Sequence, residues 1–267
     1  MILPKRQHQL AISVKDVSKV FELEGRELLV LSSISFKVKD GEFVSIIGPS
    51  GCGKSTLLRI IADIVNPSSG TVMVHGGSAA EARKARKFGF VFQDPVLLPW
   101  RTALENVELP LIIAKRNTKE ERRRAAELFE LVGLSGFESA QPSELSGGMS
   151  RRVAIARALV LQPEILLLDE PFGALDEITR QKMNLELQRI WAESRTTALL
   201  VTHNVGEAVF LSDRVFVMGT KPGRLISDVA INLPRPRNAE LLEKPEFFQY
   251  SAHLTRLLMS TIGESKQ

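Results

Sequence analysis

The sequence is poor in several things at once. Among 267 residues there are one cysteine, one tyrosine and two tryptophans. A lone cysteine excludes an internal disulfide and suits a reducing compartment. No uninterrupted apolar run is longer than five residues, whereas a membrane-spanning helix needs about 20. The opening stretch MILPKRQHQLAISV has no apolar segment of the secretory kind, so a chain that neither spans a bilayer nor carries a signal is expected. Single-stranded nucleic acid would call for aromatics interleaved with basic residues. The densest basic clusters, Arg83 to Lys87 and Arg122 to Arg124, have no tyrosine or tryptophan beside them. With a net charge of only +4, both clusters read as solvated helix faces, and no nucleic-acid partner is expected. His8, His75 and His253 stand apart without clustered partners, so no transition-metal site is expected. Repeats, low-complexity tracts and flexible linkers are also missing.

What is present begins with IIGPSGCGKST at residues 46–56. Phe43 to Ile47 is a short, mostly apolar run, as expected of a strand covered on both faces. Leu57, Leu58, Ile60, Ile61 and Ile64 then fit a helix with one buried side. Between them Gly48, Gly53, Lys54 and Ser55 fill the fixed places of GxxxxGK[ST]. Such a loop turns successive backbone N–H groups into one hollow and sets the positive end of a helix dipole against it. Lys54 adds an ammonium for the β and γ phosphates, and the Ser55 hydroxyl can ligate Mg²⁺. The plainer reading, a glycine turn, does not account for the strand before and the helix after.

Alternating elements follow. Ile34, Phe36 and Val38 alternate along a strand-like stretch of 10–47, and Asp40-Gly41 turns the chain into the loop strand. Thr71–His75 and Phe88–Phe92 read as strands, as do 164–168, 197–202, 214–218 and 224–233. Residues 103–160 turn helical, with Ala125, Leu128, Phe129 and Val132 at i, i+3, i+4 and i+7. Met183, Leu187, Ile190 and Trp191 mark a second one-sided helix, and Phe247, Tyr250, Ser251, Leu254 and Leu258 a third, whose expected role is core packing. Strands alternating with helices imply a mainly parallel α/β sheet, interrupted by a helical subdomain over 95–160.

Two further stretches carry chemistry. In ILLLDE, residues 165–170, a buried strand ends in two carboxylates, at the strand end where ligands of open α/β sheets bind. Asp169 is placed to hold Mg²⁺, and Glu170 suits a general base for water attacking a γ phosphate. A solvated acidic pair is the plainer alternative. In LSGGM, residues 145–149, Ser146, Gly147 and Gly148 open another helix and suit an anion. A second phosphate hollow in one chain makes sense if it serves another molecule's nucleotide; alone, it would be only a cap.

In this order the motifs resemble the ATPase subunits of ATP-binding-cassette transporters, over about residues 10–235. GPSGCGKST resembles the Walker A loop, LSGGM the signature, ILLLDEP Walker B, GALD at 173–176 the D-loop, THN at 202–204 the switch-histidine region, Gln93 the Q-loop, and Phe21 the aromatic that stacks on adenine. The resemblance implies an α/β fold: a P-loop NTPase (RecA-like) core with an N-terminal antiparallel β subdomain and an inserted α-helical subdomain. One domain, 1–267, would comprise a core with its β subdomain (about 10–94 and 161–233), a helical subdomain (about 95–160) and a tail (234–267). It further implies an ATPase with ATP and Mg²⁺ bound. The cofactor-binding residues would be Phe21, Gly48, Pro49, Ser50, Gly51, Cys52, Gly53, Lys54, Ser55, Thr56, Ser146, Gly147, Gly148 and Asp176. Ser55, Gln93 and Asp169 would serve the metal, while Glu170, His203, Lys54 and Gln93 would be catalytic. The implied partners are a second ATPase subunit, head to tail and most simply a second copy, together with membrane-spanning permease subunits and, indirectly, a solute-binding protein. The implied place is peripheral, on the cytoplasmic face of a bacterial inner membrane.

The run VFQDPVLLPWRTALENVELPL, SGGM and the late LPRPRN resemble the nitrate, sulfonate and taurine importer branch. There Leu97, Leu98 and Trp100 would line the groove that receives a permease helix, although a core role suits the two leucines equally. Met149 and Ser150 depart from the commonest signature, and Phe21 lacks a tyrosine hydroxyl. Cys52, beside Lys54 at a helix start, is expected to favour thiolate, so that alkylation would block ATP. Other transporter branches, lipid transport included, and soluble cassette proteins remain open at this point.

Overall fold

The computed structural model describes residues 10–173, 175–194, 196–220 and 222–263; His8 lies outside them. β1 (Leu10–Leu23) and β2 (Arg26–Lys39) form a long antiparallel ribbon, in which Ile34, Phe36 and Val38 point inward between exposed neighbours. β4 (Ser69–Val74) joins the other edge of β1, and the short β5 (Gly77–Ser78) completes a sheet of order β2-β1-β4-β5. The Asp40-Gly41 turn is present, closed by the Glu42 N–H on the Lys39 carbonyl at 3.2 Å. It does not fold β2 onto the next strand. β3 (Phe43–Ile47) belongs to a second sheet, and the turn hands the chain from one sheet to the other.

That second sheet has the order β10-β9-β3-β8-β7-β6. β6 (Phe88–Val91), β7 (Ile165–Asp169), β3, β8 (Thr197–Thr202) and β9 (Arg214–Gly219) run parallel, and β10 (Arg224–Ala230) closes one edge antiparallel to β9. Every residue of β3, β7 and β8 is buried, as continuous apolar runs between two helical or sheet layers should be.

α1 (Lys54–Ile61) packs its apolar side with β1 and β2 on one face of this sheet; Leu57, Leu58, Ile60 and Ile61 meet Ile12, Val14, Ile34 and Val38. The other face is covered by α3 (Ala103–Ile113), α4 (Lys119–Leu131), α5 (Gly147–Leu159), α6 (Glu177–Ser194), α7 (Val205–Leu211) and α8 (Pro245–Gly263). Each fully buried Phe or Leu there, such as Phe43, Phe129, Leu168 and Leu187, contributes about 1.5–3 kcal/mol. The expected stripes are buried: Ala125, Phe129 and Val132; Met183, Leu187, Ile190 and Trp191; Phe247 and Leu254. Tyr250 adds an anchor, its hydroxyl accepting the Asn232 N–H at 3.1 Å.

The helical stretch is more broken than its composition suggests. Residues 95–102 form an extended loop, and 132–146 are irregular apart from a 3-10 turn at Pro142–Glu144. α7 and α2 (Ala79–Lys84) escape periodicity because they span two turns or fewer, but Asn204 and Ser78 cap them. The two basic clusters are partnered: Arg83 meets Asp63, Lys87 meets Glu164, Arg123 meets Glu120, and Arg124 meets Glu121.

His75 is a correction. Its Nδ1 lies 3.3 Å from Asp40 and its Nε2 3.0 Å from Glu164, so it does have carboxylate partners. Sequence distance hid them, because the β-ribbon turn and the start of β7 meet only in the fold. Each ring nitrogen faces a different acid, an arrangement that bridges elements and does not converge on one ion.

Candidate active site

The site is assembled at the C-terminal ends of four neighbouring parallel strands. β3 delivers the glycine loop, β8 delivers His203, β7 delivers Asp169 and Glu170, and β6 leads to Gln93.

The loop comprises Gly48, Pro49, Ser50, Gly51, Cys52 and Gly53, with Lys54, Ser55 and Thr56 on the first turn of α1. Gly53 has a left-handed backbone (φ 94°), and a Cβ there would lie 2.6 Å from Leu31 Cδ2, so any other residue would be strained and would displace Leu31. Among the described residues α2, α3, α4, α6, α7 and α8 each carry a glutamate in their first turn, whereas α1 and α5 have no acidic residue there. α1 also lacks a side-chain cap. Its free N–H groups and positive dipole end are therefore left for an external anion. Lys54 is buried, and its Nζ donates to the Gly48 and Pro49 carbonyls at 2.9 and 3.1 Å. That places the ammonium inside the loop.

Cys52 overturns an expectation. Its side chain is buried, and burial pushes the thiol pKa up, against the opposing pull of Lys54. The group is a packed thiol, not a reactive thiolate. What sequence reasoning missed is Gly223, in the connection between β9 and β10. A Cβ there would fall 2.0 Å from the Cys52 carbonyl oxygen. Gly223 also donates to Val30 O at 2.9 Å and accepts from Ser32 N at 3.0 Å. It braces the loop from outside, and the sequence shows only an ordinary Pro-Gly turn.

Across from the loop, Ser55 Oγ donates to Asp169 Oδ1 at 2.6 Å. Asp169 is buried, and desolvation raises its pKa while Ser55 pulls it back. Its Oδ2 has no hydrogen-bond partner among the described residues, and Arg59 Nη2 is 3.9 Å away. An orphaned carboxylate oxygen beside a serine hydroxyl suits a hard, oxygen-loving cation. Gln93 lies two residues past β6 with an exposed side chain; its backbone oxygen accepts from Arg151 at 3.4 Å.

Glu170 sits at φ 45°, a costly conformation for a non-glycine residue. It is held by its N–H on the Val201 carbonyl at 2.9 Å. Its Oε2 lies 3.1 Å from Nδ1 of His203.

The remaining expected residues lie elsewhere on the surface. Ser146 caps α5, its Oγ accepting from Met149 N at 3.2 Å, and Ser146 and Gly147 are exposed. No hydrogen bond or ion pair joins residues 146–148 to the loop among the described residues. Asp176 is exposed and caps α6 through Thr179 N at 3.0 Å; hydrogen bonding from the Thr179 side chain, and then from its backbone, lowers the Asp176 pKa. Phe21 pairs with Leu28 across the β-ribbon, with Lys19 Nζ 4.8 Å from its ring centre. Leu97 packs on the core and Leu98 is half-buried, while Trp100 is 73% exposed.

Comparison with known proteins gives a consistent set. The sequence model of the family described as ABC transporter matches residues 31–173. The chain is 44% identical over 229 residues to an aliphatic sulfonates import ATP-binding protein of Bacillus cereus, covering 86% of this chain and 89% of that one. It is 42% identical over 253 residues to a nitrate import ATP-binding protein of Synechocystis, covering 92% and 94%. Among solved structures, a dimeric post-hydrolysis state of the ATP-binding cassette MJ0796 bound to ADP and Pi superposes with a TM-score of 0.74 at 37% identity, over 84% of this chain and all of that one.

Proposed function

The chain belongs to the ABC transporter family, and from that premise we propose that it is the ATP-binding and ATP-hydrolysing subunit of an importer. It works as a head-to-tail dimer on the cytoplasmic face of a membrane, bound to permease subunits that receive solute from a binding protein. The cargo is a small solute such as nitrate, an aliphatic sulfonate or taurine, in line with the names of the relatives. The chain is one domain, its core (about 10–94 and 161–233) flanked by a helical part (about 95–160) and a tail.

In this reading Phe21 stacks on adenine, and the loop N–H groups with Lys54 hold the phosphates. Lys54 exchanges its two loop carbonyls for phosphate oxygens. Ser55, Gln93 and Asp169 would hold Mg²⁺, which supplies charge neutralisation at the phosphoryl oxygens. Glu170 takes a proton from the water that attacks the γ phosphorus as the bond to the bridging oxygen breaks. His203 is oriented by Glu170 and contacts the γ phosphate. Ser146, Gly147 and Gly148 belong to the partner's nucleotide, and Asp176 lies between the two sites. A two-fold interface makes both pockets together.

The observation that carries this is the pairing of Ser55 with Asp169 and of Glu170 with His203 at adjacent strand ends. Glu170→Gln keeps ATP affinity, lowers turnover by about 10²–10⁴-fold and elutes as a dimer with ATP on size exclusion. Unimpaired turnover in this variant refutes the assignment.

A further inference from the structure

β8 ends at Thr202 and α7 begins at Val205, so His203 rides on a two-residue link. One residue, Glu207, closes that link on both sides, through its carboxyl and through its backbone amide. Thr202 Oγ1 donates to Glu207 Oε2. The same hydroxyl accepts the Asn204 N–H at 3.0 Å, and Asn204 Oδ1 accepts the Glu207 N–H at 2.9 Å. A hydroxyl has one proton; committing it to Glu207 leaves its lone pairs for the Asn204 amide. Thr202 and Glu207 are buried, while His203 between them is half-exposed and reaches Glu170.

Glu207 is not there to form an ion pair. Arg180, the cation nearest in charge coupling, spends its guanidinium on Glu177 and on the Leu175 carbonyl. A carboxyl buried without a cation is costly, and a side chain of similar volume without polar atoms would pack there at less expense. The geometry it imposes on residues 202–204 is what the carboxyl provides.

We propose that Glu207 is a positioning residue for His203, setting through Thr202 and Asn204 where the imidazole stands against Glu170 and the γ-phosphoryl group. This rests on the reading that His203 contacts that group, so the test separates the two. ATP and ADP affinities are titrated in Mg²⁺ for the full chain and for His203→Ala, Glu207→Gln, Glu207→Met and the double variant Glu207→Met/His203→Ala. Glutamine keeps an acceptor for Thr202, whereas methionine keeps only the volume. Glu207→Met is expected to erode the preference for ATP over ADP at least fivefold, as His203→Ala does. Glu207→Gln should stay within twofold of the parent, and the double variant should lose no more than His203→Ala alone. A Glu207→Met preference within twofold of the parent beside an eroded His203→Ala overturns the proposal. So do equal losses for ATP and ADP, which would mean general damage, and additive losses in the double variant. If His203→Ala itself keeps the preference, the role of His203 fails first and that of Glu207 falls with it.

Discussion

Asp169, Glu170 and Glu207 show what surroundings do to one functional group. Asp169 is buried beside a serine hydroxyl, Glu170 is pinned in a left-handed turn against a histidine, and Glu207 is enclosed between α6 and α7. Burial pushes the Glu207 pKa up to about 7, against the Thr202 hydrogen bond and the Arg180 charge, with Glu170 and Glu177 adding to the rise. The folded state therefore holds its proton more tightly than the unfolded chain does. Stability from this proton is complete below the unfolded pKa near 4.5 and is lost as pH rises toward 7. Glu207→Gln removes that loss. Urea unfolding at pH 5 and pH 7.5 should show the variant gaining up to about 3 kcal/mol on the parent between the two. Parallel pH profiles for the two proteins contradict the assignment. The acids at 169 and 170 were legible from ILLLDE because a strand end announces them. Glu207 was not, since its partner Thr202 means nothing until α7 folds back over β8.

At the scale of elements, two parts of the site are held from outside by segments that carry no site residue of their own. The LPRPRN segment secures the far end of α7: Arg237, with a pKa lowered by burial to about 10, donates to the carbonyls of Val209, Phe210 and Ser212, and Arg235 stacks on Trp191 while bonding Leu211 O. The β9–β10 connection secures the phosphate loop through Gly223. Gly223→Ala places a methyl against the Cys52 carbonyl, so either the loop or the connection must move. ATP affinity should fall at least tenfold, measured by nucleotide titration, with the sheet intact by circular dichroism; undiminished affinity shows the brace to be dispensable. Long one-sided helices were legible because their stripes run several turns, as in Met183 to Trp191. α2 and α7 were not, being too short to show a period.

At the scale of the molecule, α1 and α5 are, among the described residues, the two helices without an acidic residue in the first turn, and no hydrogen bond joins residues 146–148 to the phosphate loop. In the proposed head-to-tail pair, each copy's 146–148 would face the other copy's loop. Lys54→Ala and Ser146→Arg should each abolish hydrolysis, yet their mixture should hydrolyse ATP at about a quarter of the parent rate, because a mixed dimer retains one intact pocket. A phosphate-release assay on the mixture that stays as silent as either variant alone rules out shared pockets. The loop and the acid pair follow from the sequence alone, because each depends on residue type at fixed short spacing; His203 was implied by the family resemblance that those motifs carry. The antiparallel ribbon was legible as strands, but not which sheet its turn would enter. The inert Cys52 thiol, the His75 bridge, the Gly223 brace and the Glu207 frame were decided only by tertiary structure. Each is a contact between segments far apart in the chain, or a desolvation that exists only once the core has closed.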